Sequence, residues 1–302
     1  MTKTLHIAQP IGFCSGVRRA MKLFDDCIQA NPGKSIYVLH ELVHNHAVTQ
    51  AMKDKGAVFV EAVEHVPQDS TLLIGAHGCG PSALETCGKR HLDVHDATCP
   101  RVTRLRNAMA ACPSEQPIIL LGDYNHPEVQ GIVEHASRSK HDVYIIKNCQ
   151  EAECLPLMDS AAFFSQTTRR ITEIAAVRSI LARRIRRLDD HAHPCPAVRD
   201  RQIAMKTVAK CCELVFIVGS SHSSNAQRLA EIAEENGCND IRFAESVDDI
   251  VAEDIEHFEH IGIGAATSAP DDIICSIIER IRQLGFTPCG MDGANLNPPY
   301  CK

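Results

Sequence analysis

The chain has 302 residues, 44% hydrophobic and 23% charged, with a net charge of −7, the profile of a globular protein long enough for two or three cores. The negative balance disfavours nucleic-acid partners, no apolar run approaches the ~20 residues of a membrane span, and the N-terminal MTKTLHIAQP lacks a signal-peptide apolar region. A cytoplasmic protein is expected. Fifteen cysteines without a secretion signal point to reduced thiols, metal ligation or catalysis rather than disulfides. The absence of any C-x-x-C pair argues against zinc ribbons, thioredoxin-type motifs and small-ferredoxin signatures.

In chain order the elements repeat one pattern three times. GFCSGVRRA (12–20) sets Cys14 before a helix in which Val17, Ala20, Met21 and Phe24 share a face. A strand run ending in polar residues follows (36–45, IYVLHELVHN). Then come a helix, a strand (57–63, AVFVEAV) and an apolar run with a second polar loop (72–78, LLIGAHG). ATCPRVTRL (97–105) restarts the pattern at Cys99, continued by IILLGDYNHPE (118–128), DVYIIKN (142–148) and AFFSQTT (162–168). Arg178, Arg183, Arg184, Arg186 and Arg187 read as a basic helix, either a solvated face or a dock for an acidic electron-transfer protein. HPCPAVRDR (193–201) opens the third pass at Cys195, and Met205, Val208, Ala209 and Cys212 again share a face. LVFIVGSSHSSN (214–225), DIRFAES (240–246) and IGIGAATSAP (261–270) complete it. The tail after Phe286 reads as poorly ordered.

The cysteines are 85 and 96 residues apart, each with a valine three positions on (Val17, Val102, Val198). Such a period suits three small domains of one design rather than a solenoid. Strands alternating with helices predict parallel α/β units with functional residues at strand C-terminal ends. The expected domains are 15–98, 99–194, and 195–285 with 1–14, followed by a tail at 286–302. The N-terminal LHIAQP segment is expected to cross back into the third domain.

Proline after Cys99 and Cys195 suits the first position of a helix and puts the cysteine at its N-cap. The partial positive charge there favours the thiolate, the form that binds metal. Three such thiolates fit a [4Fe–4S] cluster with one iron lacking a protein ligand. Tris-thiolate zinc, or three unrelated buried thiols, are the other readings. Cys27, Cys87, Cys112, Cys149, Cys154, Cys211, Cys212, Cys238, Cys275 and Cys289 are expected to be buried small hydrophobes. The polar loops begin 30, 27 and 28 residues after each cysteine, at His44, His126 and Ser223. Alone, His44, His77 and His126 would be ordinary polar or core histidines; in register they read as donors to an anion. Ser223, Ser224 and Asn225, between a strand and a helix, suit a phosphate, and no P-loop motif is present. Glu128 suits a general acid, against a plain surface-turn carboxylate. Thr167 and Thr168 suit a proton relay or hydroxyl clamp, against a strand-end cap.

These motifs resemble the LytB-type iron–sulfur reductases, the hydroxymethylbutenyl diphosphate reductases. The likeness runs from residue 5 to about 285 and rests on GFCSGVRRA, HELVHN, AHG (76–78), DATCP (96–100), HPEVQG (126–131), SQTT (165–168), GSSHSSNAQRLAE (219–231) and SAPD (268–271). It implies a trefoil of three pseudo-threefold-related α/β domains with parallel sheets around a [4Fe–4S] cluster held by Cys14, Cys99 and Cys195. By the same resemblance His44, His77, His126, Ser223, Ser224, Asn225 and Ser268 bind the substrate diphosphate. Thr167 contacts the substrate hydroxyl, with Thr168 beside it, and Glu128 delivers protons. The implied reaction is the last step of the methylerythritol phosphate route to isoprenoids. Two electrons from ferredoxin or flavodoxin remove the allylic hydroxyl as water, giving isopentenyl and dimethylallyl diphosphates.

The chain departs from the family pattern at four places. GDYN stands before HPE where a GHxx sequence is usual, Val198 stands where threonine is usual, Arg169-Arg170 follow the threonine pair, and Cys79-Gly80 follow AHG. The alternatives are a quinolinate-synthase-like cluster lyase, which the SSN, HPE and QTT motifs fit less well, and a cluster- or diphosphate-binding paralogue without turnover. No role is assigned to Cys79 or Cys301.

Overall fold

The computed structural model describes residues 3–43 and 45–290. It opens with strand β1 (Thr4–Ile7) and then runs through one cycle three times. The first pass is α1 (Ser15–Ala30), β2 (Ile36–Leu39), α2 (His46–Asp54), β3 (Ala57–Val60), β4 (Thr71–Ile74), α3 (Pro81–Lys89) and β5 (Asp93–Asp96). The second is α4 (Pro100–Ala110), β6 (Ile118–Leu121), α5 (Pro127–Arg138), β7 (Val143–Ile146), α6 (Cys149–Cys154), β8 (Met158–Ser165), α7 (Ile171–Arg184) and β9 (Ile185–Asp190). The third is α8 (Pro196–Ala209), β10 (Leu214–Val218), α9 (Ser224–Glu235), β11 (Asp240–Ala244), α10 (Ala252–Ile255), β12 (His260–Ala265), α11 (Asp271–Gln283) and β13 (Thr287–Gly290).

The strands form three parallel sheets of matching order: β3-β2-β4-β5, β7-β6-β8-β9 and β11-β10-β12-β1-β13. In the last, β1 occupies the slot that β5 and β9 fill in the others, pairing Leu5 with Ile261 and Ile7 with Ile263 of β12. The N-terminal segment therefore does cross back, and it supplies the strand that leads to Cys14. Two expectations are corrected. Residues 287–290 are not disordered but form β13, an edge strand on β1. The basic helix is also shorter than expected. It stops at Arg184, and Arg186 and Arg187 lie on β9, where pairing with β8 supplies the ladder hydrogen bonds.

By compactness the chain divides into two units. One contains residues 3–15, 45–50 and 196–290, with the five-stranded sheet. Leu5, Ile7, Phe216, Ile261 and Ile263 pack on Ile274, Ile277 and Ile281 of α11. On the opposite face Val215 and Ile217 meet Met205 and Val208 of α8 and Leu229 and Ile232 of α9. Helices on both faces explain why LVFIV is apolar without alternation.

The other unit, Gly16–Val43 with Ala51–Cys195, contains both four-stranded sheets. Ile119, Leu121 and Phe163 pack on Ile174, Val177 and Leu181 of α7. Ile118, Leu120 and Phe164 pack against Val102 and Met109 of α4 and Val129 and Ile132 of α5. Burial of each such side chain contributes roughly 1.5–3 kcal/mol. The repeated valines Val17, Val102 and Val198 are all buried, so the residue at position 198 is a packing choice shared by the three repeats. No helix among the described residues is long and apolar enough to cross a membrane.

Candidate functional site

The three cysteines have one backbone setting. Each directly precedes a helix (α1, α4 or α8) and follows the strand that lies beside β12, β4 or β8. Each backbone N–H donates to the loop after that neighbouring strand: Cys14 to Thr267 O at 3.2 Å, Cys99 to Ala76 O at 2.9 Å, Cys195 to Thr167 O at 2.9 Å. Each cysteine is thus mounted on the strand ends of the sheet that precedes its own helix. All three thiols are half-buried and unoxidised. Cys99 is the N-cap of α4, with Pro100 at the first helical position; α8 likewise begins at Pro196.

An arginine braces each cysteine loop, which the sequence did not reveal. Arg201, buried in α8, donates to Gly12 O at 2.5 Å, and Gly12 has φ 80°. Arg19 of α1 donates to Thr98 O at 3.2 Å and Asp96 O at 3.4 Å. Arg178 of α7 pairs with Asp190 and donates to Ala192 O at 2.9 Å. Arg178 is therefore internal bracing. Arg184 bonds Leu155 O and Arg186 pairs with Asp159; Arg183 and Arg187 are exposed.

In the unit built from Gly16–Val43 and Ala51–Cys195, Glu128 lies in the first turn of α5 and is 2% exposed. It is not a surface-turn carboxylate. The Thr167 N–H donates to its Oε1 at 2.8 Å and the Thr167 hydroxyl to its Oε2 at 2.7 Å. Burial pushes the carboxyl pKa up, while the two Thr167 bonds pull it down; burial dominates. His126 is the N-cap of α5, and its Nδ1 accepts from the Glu128 N–H at 3.1 Å. A neutral imidazole with Nδ1 accepting carries its proton on Nε2, so His126 presents an N–H donor. The rings of His77 and His126 meet edge to face at 5.0 Å. Gly131 of α5 permits this approach of the loop after His77: a Cβ there would stand 3.1 Å from the Cys79 carbonyl carbon. Thr168 is half-buried at the same strand end.

In the unit of residues 3–15, 45–50 and 196–290, Ser223 is the N-cap of α9 without a capping side-chain bond, and Ser224 and Asn225 begin the helix. Ser223, Asn225 and Ser268 are buried. Both amide atoms of Asn225 and the Ser268 hydroxyl lack a hydrogen-bond partner among the described residues. Buried polar atoms without partners cost about 1–3 kcal/mol each. They also mark where a ligand would supply the missing bonds. Gly219, at φ 143°, ends β10 here; a Cβ would stand 2.9 Å from Ala266 Cβ. Only glycine lets the loops bearing Asn225 and Ser268 cross so closely. His44 lies outside the described residues, as does Cys301. Its neighbour Asn45 is buried and accepts from the Val48 N–H at 3.0 Å.

The remaining cysteines are only partly as expected. Cys27, Cys87, Cys212 and Cys238 are buried, Cys112, Cys149 and Cys289 are half-buried, and Cys154 and Cys211 are exposed. Cys275 is disulfide-bonded rather than reduced. Cys79 is half-buried, and burial pushes its thiol up to about 12, away from thiolate chemistry.

Parallel α/β sheets that present cysteines, hydrogen-bond donors and, in one unit, a buried carboxyl with a raised pKa at their strand ends are the pattern of an enzyme. The family model described as LytB protein matches residues 5–282. The 4-hydroxy-3-methylbut-2-enyl diphosphate reductases of Xanthomonas axonopodis pv. citri and Xanthomonas euvesicatoria pv. vesicatoria are both 34% identical over 286 residues. These alignments span 92% of this chain and 90% and 89% of the respective relatives. Among solved structures, the E-1-hydroxy-2-methyl-but-2-enyl-4-diphosphate reductase of Plasmodium falciparum superposes with TM-score 0.88 at 29% identity, over 99% of this chain and 95% of its own. A second, described as the terminal enzyme of the non-mevalonate pathway, has TM-score 0.67 at 26% identity, over 93% and 100%. The chain belongs to the LytB protein family, whose named relatives are oxidoreductases.

Proposed function

We propose that the chain reduces 4-hydroxy-3-methylbut-2-enyl diphosphate, with two electrons and two protons, to isopentenyl or dimethylallyl diphosphate and water. The observation that carries this reading is Glu128, a buried carboxyl with a raised pKa, held at both oxygens by Thr167. Such a group holds its proton to higher pH than an ordinary carboxyl and can give it to a leaving hydroxyl or to the allylic carbon skeleton. His126 offers an Nε2–H donor beside it, with His77 in ring contact. The unsatisfied Asn225 and Ser268 atoms, with Ser223 and Ser224 at a helix N-terminus, suit diphosphate oxygens. By resemblance His44 joins that set, and Thr168 lies next to the hydroxyl-binding Thr167.

Cys14, Cys99 and Cys195 would hold a [4Fe–4S] cluster. The donor set fits it: three unoxidised thiols in one repeated backbone setting. A cluster takes one thiolate at each of separate iron corners. When bound, the cluster supplies electrons and, at its iron without a protein ligand, a Lewis acid. In this reading the chain forms three domains at 15–98, 99–194 and 195–285 with 1–14. Ferredoxin or flavodoxin delivers electrons, with the exposed Arg183 and Arg187 available to an acidic partner.

The test is anaerobic turnover of hydroxymethylbutenyl diphosphate by cluster-reconstituted protein with a chemically reduced mediator. Formation of the two isoprenoid diphosphates supports the proposal. No product from fully loaded protein rejects it and leaves a binding paralogue.

A further inference from the structure

Two of the departures from the family pattern meet in space. Asp123 lies in the loop that leads to His126 and Glu128; Arg169 follows the Thr167-Thr168 pair. The Arg169 side chain is 2% exposed, and its Nη2 donates to Asp123 Oδ1 at 2.8 Å. Its Nη1 reaches Glu173 Oε1 at 2.9 Å and Lys147 O at 3.2 Å. The backbone repeats the connection: Asp123 N–H donates to Gln166 Oε1 at 3.0 Å, and Arg169 N–H to Gln166 O at 3.2 Å. Asp123 O in turn accepts the His126 N–H at 3.0 Å.

The two loops therefore form a closed frame. One rung is Glu128 to Thr167, the other is Asp123 to Gln166 and Arg169. Only four residues, 124–127, separate Asp123 from Glu128, and only Thr168 separates Thr167 from Arg169. A shift at the second rung is carried to the first through a short turn and a helix N-cap. We infer that Asp123 and Arg169 are a positioning pair for the proton-donating Glu128–Thr167 unit, taking the place of the GHxx sequence usual in the family. This rests on the proposed reaction for its kinetic consequence, but not for its structural one. The buried guanidinium faces two carboxylates, so its removal would take a cation from both and loosen the link between the loops. Lysine cannot replace it, because one ammonium cannot match a planar fork that spans Asp123, Glu173 and a carbonyl.

The test uses the cluster-loaded full chain and two variants, Asp123→Asn and Arg169→Lys. Each is expected to lower kcat by about 10- to 100-fold, as misplacement of a reacting group does. KM should change less than kcat, because the diphosphate donors on residues 223–225 and 268 are untouched and only His126 lies on the disturbed loop. Independently of turnover, amide exchange at Thr167 should quicken while exchange in the β6 and β8 strands stays slow. Unchanged kcat and unchanged Thr167 exchange in either folded variant would overturn the pair's role. So would exchange that rises equally through β6 and β8, which marks support of the fold alone. If Asp123→Asn does not fold, Arg169→Lys decides by the same readings. A wild-type protein that makes no product would reject the reaction, while Thr167 exchange still decides the pair.

Discussion

Thr167 holds both oxygens of the Glu128 carboxyl, one with its backbone N–H at 2.8 Å and one with its hydroxyl at 2.7 Å. The two residues are 39 positions apart and come from different strand-end loops, after β6 and after β8. Adjacent parallel strands bring those loops together. The clamp orients the carboxyl without supplying a cation, so burial still governs its proton.

Glu128→Gln should keep the shape and lose the proton. Turnover is expected to fall by at least about 100-fold, with cluster absorption and substrate affinity retained. Steady-state kinetics beside a binding titration would check it, and wild-type-like turnover would remove Glu128 from the mechanism. The same variant has a stability signature. A carboxyl whose folded pKa lies above its unfolded value stabilises the fold fully below the unfolded pKa, and that contribution is lost as pH rises through the folded pKa. Melting scans should therefore show little difference near pH 4 and Glu128→Gln more stable than wild type near pH 8.

Thr167→Val deletes the hydroxyl donor and keeps the N–H. That donor pulls the Glu128 pKa down, so its loss should raise it further. The group remains protonated to higher pH. The alkaline limb of kcat should move upward in pH, with a reduced plateau because the carboxyl is less well oriented. A limb that moves to lower pH would mean that the substitution admits water to the site and that relief of burial outweighs the lost bond.

Replacing Cys14, Cys99 or Cys195 by Ser should abolish the visible absorption of reconstituted protein, each alone. Cys154→Ser, at an exposed position, should leave it intact. Iron and sulfide retained in all three of the first variants would reject the ligand assignment.

Asn225→Ala and Ser268→Ala test the unsatisfied atoms. A buried polar group without a partner costs free energy in the unliganded fold, so truncation should leave the melting temperature unchanged or raise it. Affinity for inorganic pyrophosphate, measured by calorimetry, should fall by about 10- to 150-fold for each, the worth of one charge-assisted bond of about 1.5–3 kcal/mol. Loss of stability with unchanged pyrophosphate affinity would make them structural.

The sequence by itself determined the α/β class, the threefold recurrence and most strands, because helix faces and buried strand runs carry period and apolarity in the local text. It also brought out Glu128, the threonine pair and the three cysteines, since each stands in a motif at a strand end. It did not reveal β5 or β9. Their sequences, DVHD and IRRLDD, belong to edge strands with few buried side chains, Ile185 among them, and such strands need no continuous apolar pattern. Without them the mounting of each cysteine on the preceding sheet could not be read. Nor could the basic stretch be divided between α7 and β9, because arginine is compatible with both and pairing with β8 decides. The burial of Glu128, the orphaned amide of Asn225 and the meeting of Asp123 with Arg169 belong to the tertiary structure alone. Each depends on which loops the parallel strand order places side by side, and dielectric surroundings and partners 40 residues away leave no trace in local sequence.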